Sequence, residues 1–183
     1  MTYYGAADLA RSFGTVRKNT LIIADEIPEE QYDFRPAPGT RSVREILAHM
    51  LVLSQAMFNG HAVRKITNFD GVDLGAVISQ RLAEEKQWAA ASKPELIAAL
   101  RKDGDDWRAH LERVSEADLS GTVTFPPPAD PPSKSRFEIL LANKEHEMHH
   151  RAQLMLIERM LGLVPHLTRE RQARMAGLEA AKR

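Results

Sequence analysis

Proline placement constrains this chain more than any other feature. Its ten prolines stand at 28, 36, 38, 94, 126, 127, 128, 131, 132 and 165, so half of them crowd into seven residues. A proline inside a helix removes a backbone donor and clashes with the preceding turn. Helices must therefore lie mainly in the longer proline-free runs 1–27, 39–93, 95–125, 133–164 and 166–183. Apolar residues in these runs recur with the 3.6-residue period of an amphipathic helix. An all-α chain follows.

A first helix is expected from Ala7 to Glu26, with Leu9, Phe13, Val16, Leu21 and Ile23 inward and a stop before Pro28. After the turn "RPAPGT", Thr40 or Ser42 can cap a second helix running from Ser42 to His61. The stretch from Ala62 to Ser92 reads as a lid or packing insertion, with an extra helix from Ala76 to Ala90. A further helix spans Ser92 to Val114, capped by Ser92 with Pro94 in its first turn and weakened in propensity by Gly104. The proline-rich run "TVTFPPPADPPSKS" forms a long loop, with one short strand at Thr122 to Phe125. The longest helix follows, from Lys134 to Leu161, ended by Gly162 and Pro165. Four principal helices with a long irregular connection before the last predict a four-helix bundle. Residues 1–168 make that domain, and 169–183 a charged tail of weak helix or disorder.

At 183 residues, 43% hydrophobic and 27% charged, the chain can bury one core. Its 25 basic and 25 acidic residues cancel, which argues against nucleic acid or an anionic membrane as a partner. No uninterrupted apolar run approaches the roughly 20 residues of a membrane span, and the start carries no leader pattern. The chain reads as cytoplasmic. It contains no cysteine, so any metal must be held by histidine, carboxylate or water, and a thiol nucleophile must come from outside.

Three of the seven histidines fall within "HEMHH", at 146, 149 and 150. At about 100° per residue, His146 and His150 share a stripe with Ile139, Ile157, Gln153 and Met160, while His149 lies at its edge. Histidines at i and i+4 stack their rings at a spacing that suits two ligands of one ion. A third ligand fits at His49, which lies among Ile46, Val52, Leu53 and Ala56 on the second helix. Three inward histidines leave coordination positions for water or substrate, as in a catalytic site.

Other readings compete. A histidine on an apolar face is more often a hydrogen-bonded core residue than a ligand. His146, Glu147 and His150 also satisfy HExxH, the metallopeptidase pattern, although only His166 follows as a downstream ligand. Glu147 and His150 form one Glu-x-x-His, but a di-metal carboxylate site needs a second pair and two further glutamates. Glu45, one turn before His49, could orient a ligand or accept a proton, or could serve the helix start as a first-turn carboxylate. Gln153 could hydrogen-bond the site. His149 and Arg151 read as rim or interface residues, and His61, His110 and His166 as exposed or capping. Trp88, Trp107, Phe58 and Phe69 read as core or pocket wall, and Met148, Met155 and Met160 as packing.

Taken together, "FRPAPGTRSVREILAHM" and "HEMHHRAQL" resemble the DinB-like (DinB/YfiT) metal-binding superfamily. The resemblance runs from the first helix to Gly162 and includes the Pro-Gly turn, the histidine after "EILA", and His-x-x-x-His-Arg-x-Gln. Ala152 departs from the family's usual glycine and Arg41 from its frequent tryptophan. The resemblance implies a four-helix bundle, usually a homodimer, with His49, His146 and His150 holding a divalent ion, often zinc or nickel. It also implies a small-molecule substrate. Characterised relatives include transferases and maleylpyruvate isomerases that use low-molecular-weight thiols; a metal-dependent hydrolase and a non-catalytic metal-binding stress protein are the alternatives.

Overall fold

A computed structural model describes residues 4–181 of the chain. Helix α1 spans Ala6–Glu26, α2 Val43–Met57, α3 Leu74–Ala89, α4 Lys93–Leu111, α5 Glu116–Ser120, α6 Arg136–Met160 and α7 His166–Ala180. The principal helices α1, α2, α4 and α6 pack as a bundle, and α3 lies along α2.

Local chemistry sets the helix starts. Ser42, Ser92 and Ser135 each cap a helix, with Glu45, Glu95 and Glu138 three residues on completing reciprocal capping boxes. Ser135 therefore starts α6 two residues later than the periodicity suggests, and Lys134 belongs to a strand. That strand, β2 (Ser133–Ser135), pairs antiparallel with β1 (Thr122–Thr124), so the proline run is the tip of a small hairpin. The second helix departs from regular α geometry at Met57 and continues as a π turn over Phe58–Val63.

Two apolar clusters fill the bundle. One joins Ile23, Tyr32, Leu47, Leu51, Leu96, Leu100, Leu154 and Ile157; the other joins Leu9, Phe13, Trp107, Leu111, Leu119 and Leu140. Tracing each helix from one cluster to the other gives its direction. Helices α1 and α6 run one way, and α2 and α4 the other. The parallel pair α2 and α4 requires a return path, and α3 supplies it, carrying Trp88 and Ala89 back to the first cluster. The predicted insertion is thus a topological necessity of this bundle.

A buried polar layer separates the clusters. Arg17 of α1 donates from Nε to Glu147 of α6 at 2.9 Å and from Nη1 to Asp103 of α4 at 2.9 Å. Ser54 of α2 donates to Asp103 at 2.6 Å and accepts from Asn143 of α6 at 3.3 Å. Burial works against the Arg17 charge, but Glu147 and Asp103 outweigh it and hold its pKa above the ordinary arginine value.

The tail takes the helical one of its two expected forms across its described residues, with α7 held to α1 through Arg169 with Glu26 and His166 with Asn19 at 3.3 Å. Two expectations need correction. His61 and His166 are buried and His110 half-buried, because the π turn and α7 fold onto the bundle. Val43–Val63 is also long and apolar enough to cross a membrane by length and composition, at mean hydropathy 1.2, since its interruptions are mostly uncharged. Half of that stretch is buried as the bundle's central helix.

Candidate metal centre

His49 on α2 and His146 and His150 on α6 converge, each offering a ring nitrogen within 4.8 Å of the others. His146 Nε2 lies 3.1 Å from His49 Nε2 and 3.1 Å from His150 Nε2. Ligands at about 2.05 Å from one ion are separated by about 2.9 Å at octahedral angles and about 3.3 Å at tetrahedral angles. The observed spacing falls between these values.

Partners behind the rings set their tautomers. His49 Nδ1 lies 2.8 Å from Glu85 Oε1, and His150 Nδ1 lies 2.8 Å from Gln153 Oε1. A carboxylate or amide oxygen only accepts, so both Nδ1 atoms carry the hydrogen and both Nε2 lone pairs face His146. His146 Nε2 can direct a hydrogen at one of them at most. The remaining contact brings two lone pairs together, an arrangement that a central cation relieves. Burial, then the neighbouring histidines, pushes His146 down to about 3. Burial also carries His150 down to about 4, against the Gln153 hydrogen bond that favours its charge. Both rings are neutral near pH 7, the state in which imidazole binds a metal. The donor set therefore fits a divalent ion of the zinc or nickel class.

The α6 wheel places the site differently from the apolar pattern. Its buried residues are Arg136, Ile139, Leu140, Asn143, Glu147, His150, Leu154, Ile157 and Glu158. That face is centred about 70° from His146, because the polar layer counts as buried surface that an apolar stripe does not reveal. His146 is consequently half-buried at the edge of the bundle, and Gln153, Met148 and Met160 are exposed. Gln153 still reaches the site along the surface, bonding His150 and, through Nε2, His149 at 3.2 Å.

Glu147, the glutamate of HExxH, turns inward. Its two oxygens bind Arg17, and it is 3% exposed. This removes the general base that the metallopeptidase pattern requires, and likewise the carboxylate of a di-metal site. Glu45 caps α2 and pairs with Arg35 at 2.5 Å, as a first-turn carboxylate does. His166 bonds Asn19 and stands outside the cluster. Sequence reasoning missed Glu85. Zinc-bound histidines commonly back onto a carboxylate, yet nothing in "LAEEKQW" distinguishes Glu85 from Glu84; only the antiparallel seating of α3 on α2 brings it level with His49.

Comparison with curated proteins found no match. Among solved structures, YfiT from Bacillus subtilis, described as "a probable metal-dependent hydrolase with an unusual four-helix bundle topology", superposes with a TM-score of 0.67 at 16% identity, covering 89% of this chain and 91% of its own. A DinB-like protein from Bacillus cereus ATCC 10987 gives 0.64 at 17% identity over 90% and 97%. An uncharacterized protein from Clostridium difficile 630 gives 0.67 at 14% over 87% and 98%. These likenesses establish the shared fold. The sequence profile of the DinB superfamily matches residues 12–154, most of the chain and both histidine-bearing helices, and the chain belongs to that superfamily.

Proposed function

We propose that this protein is a divalent-metal-dependent enzyme acting on a small molecule, with His49, His146 and His150 as the ligands of the ion. The observation that carries the reading is the trio of Nε2 atoms, two of them aimed at the third by Glu85 and Gln153. Zinc or nickel held there supplies a Lewis acid able to generate a nucleophile near neutral pH. Glu85 fixes the His49 ring and its tautomer, and Gln153 does the same for His150. A cavity of about 510 Å³ that none of the three histidines lines reaches Leu53, one turn beyond His49, with Met57, Ile66, Phe69 and Val72 beside Arg64, Arg81 and Glu84 in its wall. Its size and its mixed apolar and charged walls suit a small organic substrate with a polar group.

The chain lacks cysteine, so a thiol nucleophile is exogenous, and the leading form of the proposal is transfer of a low-molecular-weight thiol. Water as the nucleophile is the second reading, favoured by the description of YfiT as a probable metal-dependent hydrolase. A cytoplasmic homodimer completes the proposal.

Elemental analysis of untagged protein tests it, beside the His146→Ala variant. About one divalent ion per chain, lost in the variant, is the expected result. Equal metal content after alanine replacement of each histidine in turn sinks the reading. Assay of the loaded protein on electrophiles with and without common cellular thiols then separates transfer from hydrolysis.

A further inference from the structure

A second polar site lies at the other end of α6. A cavity of about 170 Å³ is lined by His61, Lys65, His110, Arg113, Asp118 and Arg136. Arg136 precedes His146 by ten residues, about 15 Å along the helix, so this cavity is separate from the metal centre. We infer that it binds a small oxoanion of phosphate size.

Charge carries the argument first. Lys65, Arg113 and Arg136 face a single carboxylate, Asp118, leaving two positive charges uncompensated around the cavity. Asp118 is itself engaged at the start of α5, where it accepts from Ser115 Oγ at 2.9 Å. Among the described residues none of the three cations forms an ion pair, although Arg136 is only 7% exposed. A buried guanidinium without a counter-charge is costly.

The donors point the same way. Arg136 donates to the carbonyls of His61 at 3.4 Å and Ile66 at 3.1 Å and lies 3.3 Å from His61 Nδ1, clasping the π turn and the residues just after it. That clasp accounts for Arg136 alone. It does not account for His110, whose Nε2 is buried with no hydrogen-bond partner among the described residues. Lys65 follows the end of the π turn in the left-handed conformation that closes a helix, at φ 50°, with the Ile66 N–H donating to the Gly60 carbonyl at 2.9 Å, and it lines the cavity. The field of the cavity is also felt by its histidines: burial and then Arg136 push His61 down to about 4, and burial followed by Lys65 and Arg113 lowers His110. An oxoanion would supply acceptors for Lys65 and Arg113 and offset the excess charge.

The test is calorimetric titration of the full chain with inorganic phosphate and, separately, with phenyl phosphate, at ionic strength held constant with chloride. Lys65 and Arg113 are exposed, so the double variant Lys65→Gln with Arg113→Gln should keep the fold, which circular dichroism checks. Saturable binding that weakens at least tenfold in the double variant and persists in His146→Ala is expected. Tighter binding of the ester than of the free ion would assign the cavity to the phosphoryl end of a larger molecule; the reverse order would assign it to phosphate itself. No saturable binding above the chloride control overturns the inference. So does equal affinity in the double variant, or loss of binding in His146→Ala, which would locate the anion at the metal centre.

Discussion

Two glutamates show how far position alone decides what a carboxylate does. Glu85 accepts from His49, and Arg41 approaches it at 3.9 Å. Removing such a partner behind a metal-bound histidine usually lowers metal affinity ten- to a hundredfold. Glu85→Ala should therefore release zinc to a chromophoric chelator at a ten- to hundredfold lower chelator strength, while the metal-free melting temperature stays close to that of the parent. Unchanged affinity would mean that Glu85 does not orient the ring. Glu158 is the contrasting case. It is fully buried with neither carboxyl oxygen hydrogen-bonded among the described residues, and burial, followed by the charge of Glu26, pushes it up to about 7. The folded chain holds this proton between the ordinary value of 4.5 and about 7, where the unfolded chain has released it. Stability from this group is thus greatest at low pH and falls as pH rises through that window, by at most about 3 kcal/mol. Glu158→Gln should raise stability at pH 8 and leave it nearly unchanged at pH 4.5, as read by urea unfolding at the two values. A loss at pH 8 would contradict the protonated state.

Helix α4 contains a glycine that propensity alone would reject. Gly104 sits mid-helix, where glycine costs about 1 kcal/mol relative to alanine. The reason lies across the bundle: a Cβ there would stand 2.6 Å from Arg17 Cγ. Arg17 cannot retreat, since Glu147 and Asp103 hold its guanidinium. Gly104→Ala should consequently destabilise by about 1–3 kcal/mol despite the better propensity. At this chain length each kcal/mol lowers the melting temperature by about 2–4 °C, which a calorimetric scan resolves. A stabilised variant would show that the α1–α4 approach is slack. Helix α3 carries the same lesson in another form: its face on α2 returns the chain and delivers Glu85, while Leu74, Val77, Ile78 and Leu82 stay exposed. Weak amphipathicity made it read as an insertion, although the bundle's direction depends on it.

At the scale of the molecule, the polar layer joins all four principal helices through Arg17, Ser54, Asp103, Asn143 and Glu147. Arg17→Met would strand Glu147 and Asp103 without their cation, and breaking a buried pair in this way costs about 3–5 kcal/mol. A urea midpoint shifted by less than 1 kcal/mol equivalent would mean that water or repacking satisfies the carboxylates. Much of this architecture was legible beforehand. Proline placement and capping serines define the helices because those rules act within a few residues of backbone, and the His-x-x-x-His spacing with His49 names the candidate ligands because helical geometry is fixed. The burial of Glu147, the role of Glu85, the path of α3 and the basic cavity beneath the π turn were not legible. Each depends on which side chains from distant segments meet, and an apolar pattern cannot distinguish a polar face that is buried and paired from one in water. By itself, then, the sequence determined the four principal helices and the candidate histidines; only the tertiary structure decided where those helices end and which carboxylates face the histidines or the core, because pairing across the bundle is set by helix direction and register.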